Sequence, residues 1–325
     1  MTYDIYFHND FDGRAAAAVM LSFLRSRGDD IEHFTPLDYY LLESGYLTEN
    51  FFTKHKLFKG KRNPAIVVDF PFHPKAAWWF DHHGAPCRKK SWLKKFKQTA
   101  QWHHDPQYAS CCKQVAEILK KEFGWNPPKF FTETIRWGDI LDGARYKSAR
   151  QTIELKESAL QVAVFFDRRG DDPITWGTFT ELLAEKPLAL IARRADVRAV
   201  VREAKEEIKL AIAYIRKNLV IEGRVGYVFL PSVAFAKPRF IPLVLHPELL
   251  YLVRMFKKRT LWHLSVGQNP WRRNENAVDI GKLISAYGGG GHHGVGAVEF
   301  KTRKEAKKAA NEIVIYLLQH GFKKK

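Results

Sequence analysis

Short apolar runs separated by longer, helix-like stretches dominate the first half of the chain. Tyr3 to Phe7, Ile31 to Phe34, Ala65 to Val68 and Ala77 to Phe80 read as buried strands. Arg14 to Arg27 is rich in Ala and Leu, lacks Pro and Gly, and predicts a helix ending at Gly28. Ser110 is placed to cap a further helix through Phe123, which Gly124 and Pro127-Pro128 terminate; another covers Phe131 to Leu141. Strands alternating with helices imply an α/β layer with a mostly parallel sheet, whose ligands gather beyond the strand C-termini.

Near Thr175 the pattern changes. Ala189 to Leu219 is a charge-laced helical stretch that reads as a connector between domains. After Gly223 a second α/β set follows: strands at Val225 to Leu230, Thr260 to Val266 and Val295 to Phe300, and helices at Val278 to Tyr287 and Arg303 to His320. The expected organisation is a first α/β domain over residues 1–175, a helical connector over 176–222 and a smaller α/β domain over 223–325.

The polar residues that interrupt this pattern cluster where apolar runs stop. They are His8-Asn9-Asp10-Phe11-Asp12-Gly13, the lone Asp69 after Ala65 to Val68, Asp81-His82-His83 after Trp78-Trp79-Phe80, and Asp139 to Asp142. Carboxylates gathered out of water are costly unless a cation neutralises them, and a pair of divalent ions does this most simply. His8, Asp10 and Asp12 alternate at a strand end, and Gly13 would let the chain turn into a helix. Taken singly, an Asp-x-Asp-Gly string or a strand-end Asp is also what an ordinary surface turn uses. A mixed set of imidazoles and carboxylates leans toward Mn²⁺, with Mg²⁺ or other divalent ions compatible. In the second half, Gly288 to Gly291 followed by His292-His293-Gly294 gives a backbone free of side chains that an anion can approach closely.

Composition refines this picture. The 325 residues suffice for two cores, and 46% hydrophobic content marks a globular chain. Runs such as Ala15 to Leu21 and Ile241 to Leu245 are far too short to cross a bilayer, and no leader-like segment opens the sequence. Cys87, Cys111 and Cys112 have no metal-ligand spacing, so a reduced cytoplasm is the simplest setting. The formal net charge of +18 favours polyanions without saying which, and a solvated basic surface explains it equally. Arg88 to Lys97 interleaves Trp92 and Phe96 with cations; it reads either as a base-stacking strip or as an amphipathic helix with two core aromatics. His103-His104-Asp105 is expected in a polar loop and His73 on a loop surface, Cys111-Cys112 should pack a helix, and Gly321 to Lys325 reads as a solvated tail.

Together the four acidic and histidine strings, in this order, resemble the DHH family of phosphoesterases, and the glycine-histidine string resembles the Gly-Gly-Gly-His motif of the DHH-associated domain. That superfamily includes nano-RNases, RecJ-like nucleases and cyclic-dinucleotide phosphodiesterases. The resemblance implies that His8, Asp10, Asp12, Asp69, His82 and Asp142 hold two Mn²⁺ ions, with Asp69 between them. It implies that Asp81 and His83 act in catalysis, His83 facing the phosphate or leaving group. Asp139 and Asp142 both fit the fourth motif loosely; the small residues and Tyr146 that follow favour Asp142. Gly289, Gly290, Gly291 and His292 would hold the substrate. Where many relatives carry Arg-Ser, this chain has Ser265-Val266-Gly267-Gln268, so the cation there would come from Arg272 or Arg273.

The function so implied is hydrolysis of phosphodiester or phosphomonoester bonds in short oligonucleotides or nucleotides by a metal-activated water. Two alternatives remain: a non-catalytic nucleic-acid-binding module, and a polyphosphate or pyrophosphate hydrolase. Expected partners are a short nucleic acid or nucleotide and no membrane; a homodimer is compatible with the sequence.

Overall fold

The computed structural model describes residues 1–39, 45–54, 63–84, 87, 89–231 and 238–322, so Arg88 and the tail residues Lys323 to Lys325 lie outside the described residues. The chain forms two compact units, residues 1–145 with 156–201 and residues 146–155 with 202–325. No helix among the described residues is long and apolar enough to cross a membrane.

In the first unit, β1 (Thr2–His8), β2 (Asp30–Leu37), β3 (Ala65–Val68), β4 (Ala76–Asp81) and β5 (Trp102–His104) form a five-stranded parallel sheet of order β2-β1-β3-β4-β5. From β1 the chain first adds β2 on one side and later β3 on the other. Strand order therefore reverses between β1 and β3, and open α/β sheets place ligand crevices beyond the carboxyl ends at such a point. All four residues of β3 are buried, as a central parallel strand requires.

The helices that follow one another along the chain are α1 (Phe11–Ser26), α2 (Phe51–Lys54), α3 (Lys90–Leu93), α4 (Cys111–Phe123), α5 (Phe131–Asp142), α6 (Ala149–Glu154), α7 (Ser158–Arg169), α8 (Pro173–Glu185), α9 (Leu188–Ala192) and α10 (Ala195–Asn218). Helix α1 is central: it packs on α4, α5 and α8, and Ala15 to Leu21 are wholly buried. Four successive alanines let the surrounding elements approach its backbone. The helix begins at Phe11 rather than Arg14 because Asp10 caps it, accepting from Gly13 N–H at 2.9 Å. Gly13 accordingly lies inside the first helical turn. Its lack of a side chain serves close approach, since a Cβ there would stand 2.2 Å from the His8 carbonyl oxygen.

The second unit is built on a six-stranded sheet of order β10-β11-β9-β8-β7-β6, with β6 (Val220–Glu222), β7 (Val225–Leu230), β8 (Tyr251–Lys258), β9 (Leu261–Gln268), β10 (Gly290–His292) and β11 (Val295–Phe300). Only β7 and β8 pair in parallel. Val253, Met255, Leu264, Val266 and Val298 turn one face toward Ala306, Ala310 and Ile313 of the helix Arg303–His320. A reciprocal Thr302–Glu305 capping box starts that helix where the sequence places it.

Several expectations are corrected. The stretch 189–219 is two helices, because Asp196 binds the Arg194 guanidinium (3.1 and 2.8 Å) and the Val197 N–H, restarting the chain as α10. Strand β8 escapes the sequence pattern because the β8–β9 hairpin turns on Arg259, at φ 55°, without a glycine signal. His73 is fully buried, 4.5 Å from the ring centroids of both Phe52 and Trp92, with Nε2 3.1 Å from the Thr48 carbonyl oxygen. Of the two readings of the basic run, the core aromatics hold and the stacking strip does not: Trp92 is buried and Phe96 packs on the same core. His103 and His104 lie in β5 and not in a loop.

Candidate functional site

The carboxyl ends of β1, β3 and β4 and the ends of α1 and α5 bring the acidic strings to one place. His8 closes β1, and its Nδ1 lies 3.0 Å from Asp10 Oδ2 and 3.5 Å from Asp69 Oδ2. Asp69 follows β3 at φ 57°, a left-handed conformation that Asp tolerates better than most residues. Its N–H donates to the Phe80 carbonyl at 2.9 Å, which ties the turn to β4. His82 donates Nδ1–H to the Tyr108 carbonyl at 3.1 Å. That bond fixes the tautomer and turns Nε2 toward Asp69 (3.3 Å), Asp142 (3.5 Å) and Asp12 (3.7 Å).

Three ligand-type groups result: His8 with Asp10 and Asp69; Asp12 with His82 and Asp142; and Asp69 with His82 and His83. Within each, the donor atoms lie within 4.8 Å of one another. Asp69 thus stands between the first two. Asp139 is outside the groups: it accepts from Ser110 Oγ at 2.6 Å and pairs with Lys113 at 3.2 Å. Asp81 is outside them as well. It is fully buried and its Oδ1 accepts from His83 Nδ1 at 2.7 Å, so it acts on the site through His83.

The electrostatics of the cluster call for added positive charge. Burial, then the charges of Asp69 and Asp142, push the Asp12 carboxyl well above its ordinary range. Burial, then Asp69 and Asp10, hold Asp142 at about 6. Burial works against a charged His82, but the Asp69 carboxylate 3.3 Å away, with Asp12 and Asp142, outweighs it and holds the imidazole at about 10. Burial also opposes ionisation of Asp69, yet His8 and His82 keep its carboxyl below the usual range. His8 Nδ1, Asp69 Oδ1 and His82 Nε2 are buried at ion-pair distance from charged neighbours, but none makes a contact of hydrogen-bond geometry. Buried polar atoms are rarely left so, and these three face one another across donors that suit divalent cations. The residue set fits a metal pair.

Several participants carry no signal in the sequence. Asp12 accepts from the N–H groups of Cys111 (2.6 Å) and Cys112 (3.0 Å), capping α4 from another helix; Ser110 makes no such cap bond. A Cβ on Gly138 would meet Cys112 Sγ at 2.3 Å and Asp12 Oδ1 at 3.3 Å, so this glycine admits the carboxylate between α4 and α5. Tyr39 hydroxyl lies 3.0 Å from His83 Nε2, and His104 donates to the His83 carbonyl at 2.7 Å. Arg14, fully buried, donates to Asn9 Oδ1 (2.8 Å), the Gly170 carbonyl (2.9 Å) and the Thr175 carbonyl (3.2 Å) while lying over Phe166 at 4.8 Å. It anchors the loop between His8 and α1 to the α7–α8 turn. Contacts of this kind join residues up to 161 positions apart, beyond the reach of local pattern.

In the second unit the glycine string is a tight hairpin. Gly288 adopts φ 81°, and a Cβ on Gly289 would meet the Ala297 carbonyl oxygen at 2.4 Å. Gly290 and Gly291 pair in β10 with Ala297 and Gly296, whereas a Cβ added at Gly290 would meet nothing within 4 Å. His292 is exposed. Arg272 is held locally, donating to the Pro247 carbonyl and to Glu275, both at 2.9 Å; Arg273 is exposed.

No family model matches the chain, and no curated protein matches it in sequence. Solved structures do resemble it. The pGpG-specific phosphodiesterase PggH from Vibrio cholerae has a TM-score of 0.70 and 18% identity, over 98% of this chain and 100% of that one. RecJ from Thermus thermophilus, solved with Mn²⁺, gives 0.62 and 12%, over 99% of this chain and 52% of that one. The DHH domain of a member of a ribosomal-protein family gives 0.61 and 14%, over 97% of this chain and 86% of that one. The chain has the fold of these DHH-type proteins.

Proposed function

We propose that this protein is a divalent-metal-dependent phosphoesterase that hydrolyses phosphodiester or phosphomonoester bonds in nucleotides or short oligonucleotides. The observation that carries the proposal is the set of buried ligand atoms on His8, Asp69 and His82 that make no contact of hydrogen-bond geometry, ringed by Asp10, Asp12 and Asp142. Two Mn²⁺ ions held by these six residues would supply an activated water and neutralise the charge that develops on the phosphoryl oxygens. The protein's own groups then do the following. Asp12 holds its position by capping α4, and His82 is aimed by Tyr108. Asp81 fixes the His83 ring, which faces the phosphate or the leaving oxygen. In this reading the first unit carries the chemistry and the glycine hairpin, with His292, contacts the substrate.

A basic surface that merely binds nucleic acid would gain nothing from burying mutually repelling carboxylates. The fold neighbours include a protein named for pGpG and a RecJ, which supports a nucleotide or oligonucleotide substrate. The test is incubation of the purified protein with Mn²⁺ or Mg²⁺ and a panel of labelled short RNA and DNA, linear and cyclic dinucleotides, and polyphosphate. Metal-dependent release of mononucleotides that stops in EDTA and in His82→Ala is expected. Cleavage of polyphosphate alone would move the substrate class, and no turnover of any member would defeat the proposal.

A further inference from the structure

Two residues beyond β2, Tyr39 reaches over the carboxyl ends of β1 and β3 to His83, which follows β4. Its hydroxyl lies 3.0 Å from His83 Nε2. On the other side of the same ring, Nδ1 lies 2.7 Å from Asp81 Oδ1, and that oxygen also accepts from the His83 N–H at 3.3 Å. A carboxylate takes the Nδ1 proton, so in the neutral ring Nε2 is the acceptor and the Tyr39 O–H donates. Both ring nitrogens of His83 are therefore held.

Tyr39 is itself braced. Its ring packs on the buried Phe70, with centroids 5.4 Å apart, and edge-on against His8 at 5.0 Å. Exposure rises along the row, from the fully buried Asp81 through the His83 side chain at 26% to Tyr39 at 36%. Ring packing alone does not ask for a tyrosine. A phenylalanine would keep the contacts with Phe70 and His8 and lose only the bond to His83, so the hydroxyl is the part that packing leaves unexplained.

We infer that Tyr39 is a positioning residue for His83. A ring held at Nδ1 alone can still tilt about the Asp81 bond. A second bond at Nε2 removes that freedom and sets the direction in which the imidazole edge meets the reacting phosphate. The inference rests on the phosphoesterase reading for the reaction it serves, but the clamp on the ring stands without it. Its consequence is selective. When a phosphodiester breaks, a ribose oxygen leaves as a strongly basic alkoxide and depends on an oriented hydrogen-bond donor, whereas nitrophenolate is stable as an anion and leaves without one. The Tyr39 hydroxyl should therefore matter more for nucleotide esters than for activated aryl esters.

The test uses the full chain in two arms. Turnover of a linear dinucleotide and of bis(4-nitrophenyl) phosphate is measured with Mn²⁺ for wild type, Tyr39→Phe, Asp81→Asn and the double variant. In Tyr39→Phe the ratio of dinucleotide to aryl diester kcat should fall about tenfold, a fraction of the ~10²–10⁴ that a positioned proton donor supplies, with KM for the dinucleotide within about twofold of wild type. The double variant should lose less than the product of the single losses, because both residues act through one ring. Tyr316→Phe, on the exposed face of the last helix, should change neither substrate. In the second arm, protein carrying ¹⁵N-labelled histidine and saturated with Mg²⁺ is followed by nuclear magnetic resonance, the His83 signals being those missing from His83→Gln. Tyr39→Phe should move the Nε2 signal and leave Nδ1 in place. A kcat ratio unchanged in Tyr39→Phe, whether both rates fall or neither does, overturns the positioning role, as does an unmoved Nε2 signal. A wild type that hydrolyses neither substrate while Tyr39→Phe still moves the Nε2 signal would keep the clamp and defeat the phosphoesterase reading instead.

Discussion

The two ends of the parallel sheet each gather Asp, His and a further carboxylate, yet they are built on opposite principles. At the amino end, Asp4 is buried in β1 beside His33 and Glu32 of β2. Asp4 Oδ1 lies 2.8 Å from His33 Nδ1 and accepts from Asn63 Nδ2 at 2.9 Å, and the same amide reaches Glu32 at 2.7 Å. The amide supplies the hydrogen bonds a buried carboxylate needs, and the cluster is complete. At the carboxyl end Asp12 is satisfied by the backbone N–H groups of Cys111 and Cys112, but no side-chain amide or arginine enters the group among the described contacts, and His8 Nδ1, Asp69 Oδ1 and His82 Nε2 are buried without contacts of hydrogen-bond geometry. A cluster of metal-type residues is therefore not itself a site. What separates the ends is whether the protein satisfies its own polar atoms or leaves them for a cation.

The comparison is sharpened first by substitutions that should differ most. Asp69→Asn should lower metal-dependent turnover by more than about 100-fold, because residues that merely orient a metal ligand already cost about 10–100-fold. Asp4→Asn should change it less than twofold, and steady-state kinetics on one dinucleotide compares them. Equal effects would erase the distinction between the ends.

A smaller loss is expected at Asp81→Asn. That side chain holds His83 and belongs to no ligand group, so the expected reduction is ~10–100-fold with metal affinity nearly retained. Calorimetric metal titration alongside kinetics would reveal the split; loss of metal binding would make Asp81 a ligand.

Proton linkage gives the next test. In metal-free protein His82 is held at about 10 and Asp142 at about 6, both raised. A raised pKa keeps the proton bound below that value, so at pH 8 His82 must lose its proton to bind a metal, and below about 6 Asp142 must as well. Metal affinity should therefore fall as pH falls, most steeply below about 6. Against its burial, Asp10 and Asp69 also raise the His8 imidazole, so calorimetry in buffers of different ionisation enthalpy should detect at least one proton released per chain at pH 8, and none would contradict the assignment of His82.

The smallest expected effect concerns stability. Asp4→Asn perturbs a satisfied buried hydrogen-bond set and should cost about 1 kcal/mol in denaturant unfolding. Saturating Mn²⁺ should still stabilise that variant, by ~2.7 kcal/mol at 100 times Kd, whereas Asp69→Asn should lose this gain.

Much of this is legible in the sequence because it is local. The β3 run, the Asp81-His82-His83 string and the Thr302–Glu305 box each announce themselves within a few residues. Helix α4 shows the limit: Ser110 carries the local capping signal, but the cap comes from Asp12, 99 residues earlier. Tyr39 carries no signal at all, since its meaning lies in the fold bringing its hydroxyl to His83. His73 misleads for a related reason: its place between Pro71 and Pro74 suggests a surface loop, while the aromatic cluster of Tyr46, Phe52 and Trp92 buries it.

The account stands most directly on metal stoichiometry. Purified, chelator-stripped protein titrated with Mn²⁺ and followed by calorimetry and electron paramagnetic resonance should bind two ions per chain, magnetically coupled through a shared carboxylate, and Asp69→Asn should abolish the coupling. Full-length folded protein that binds no Mn²⁺, Mg²⁺ or other divalent ion at the Asp12–Asp69–Asp142 cluster would contradict it.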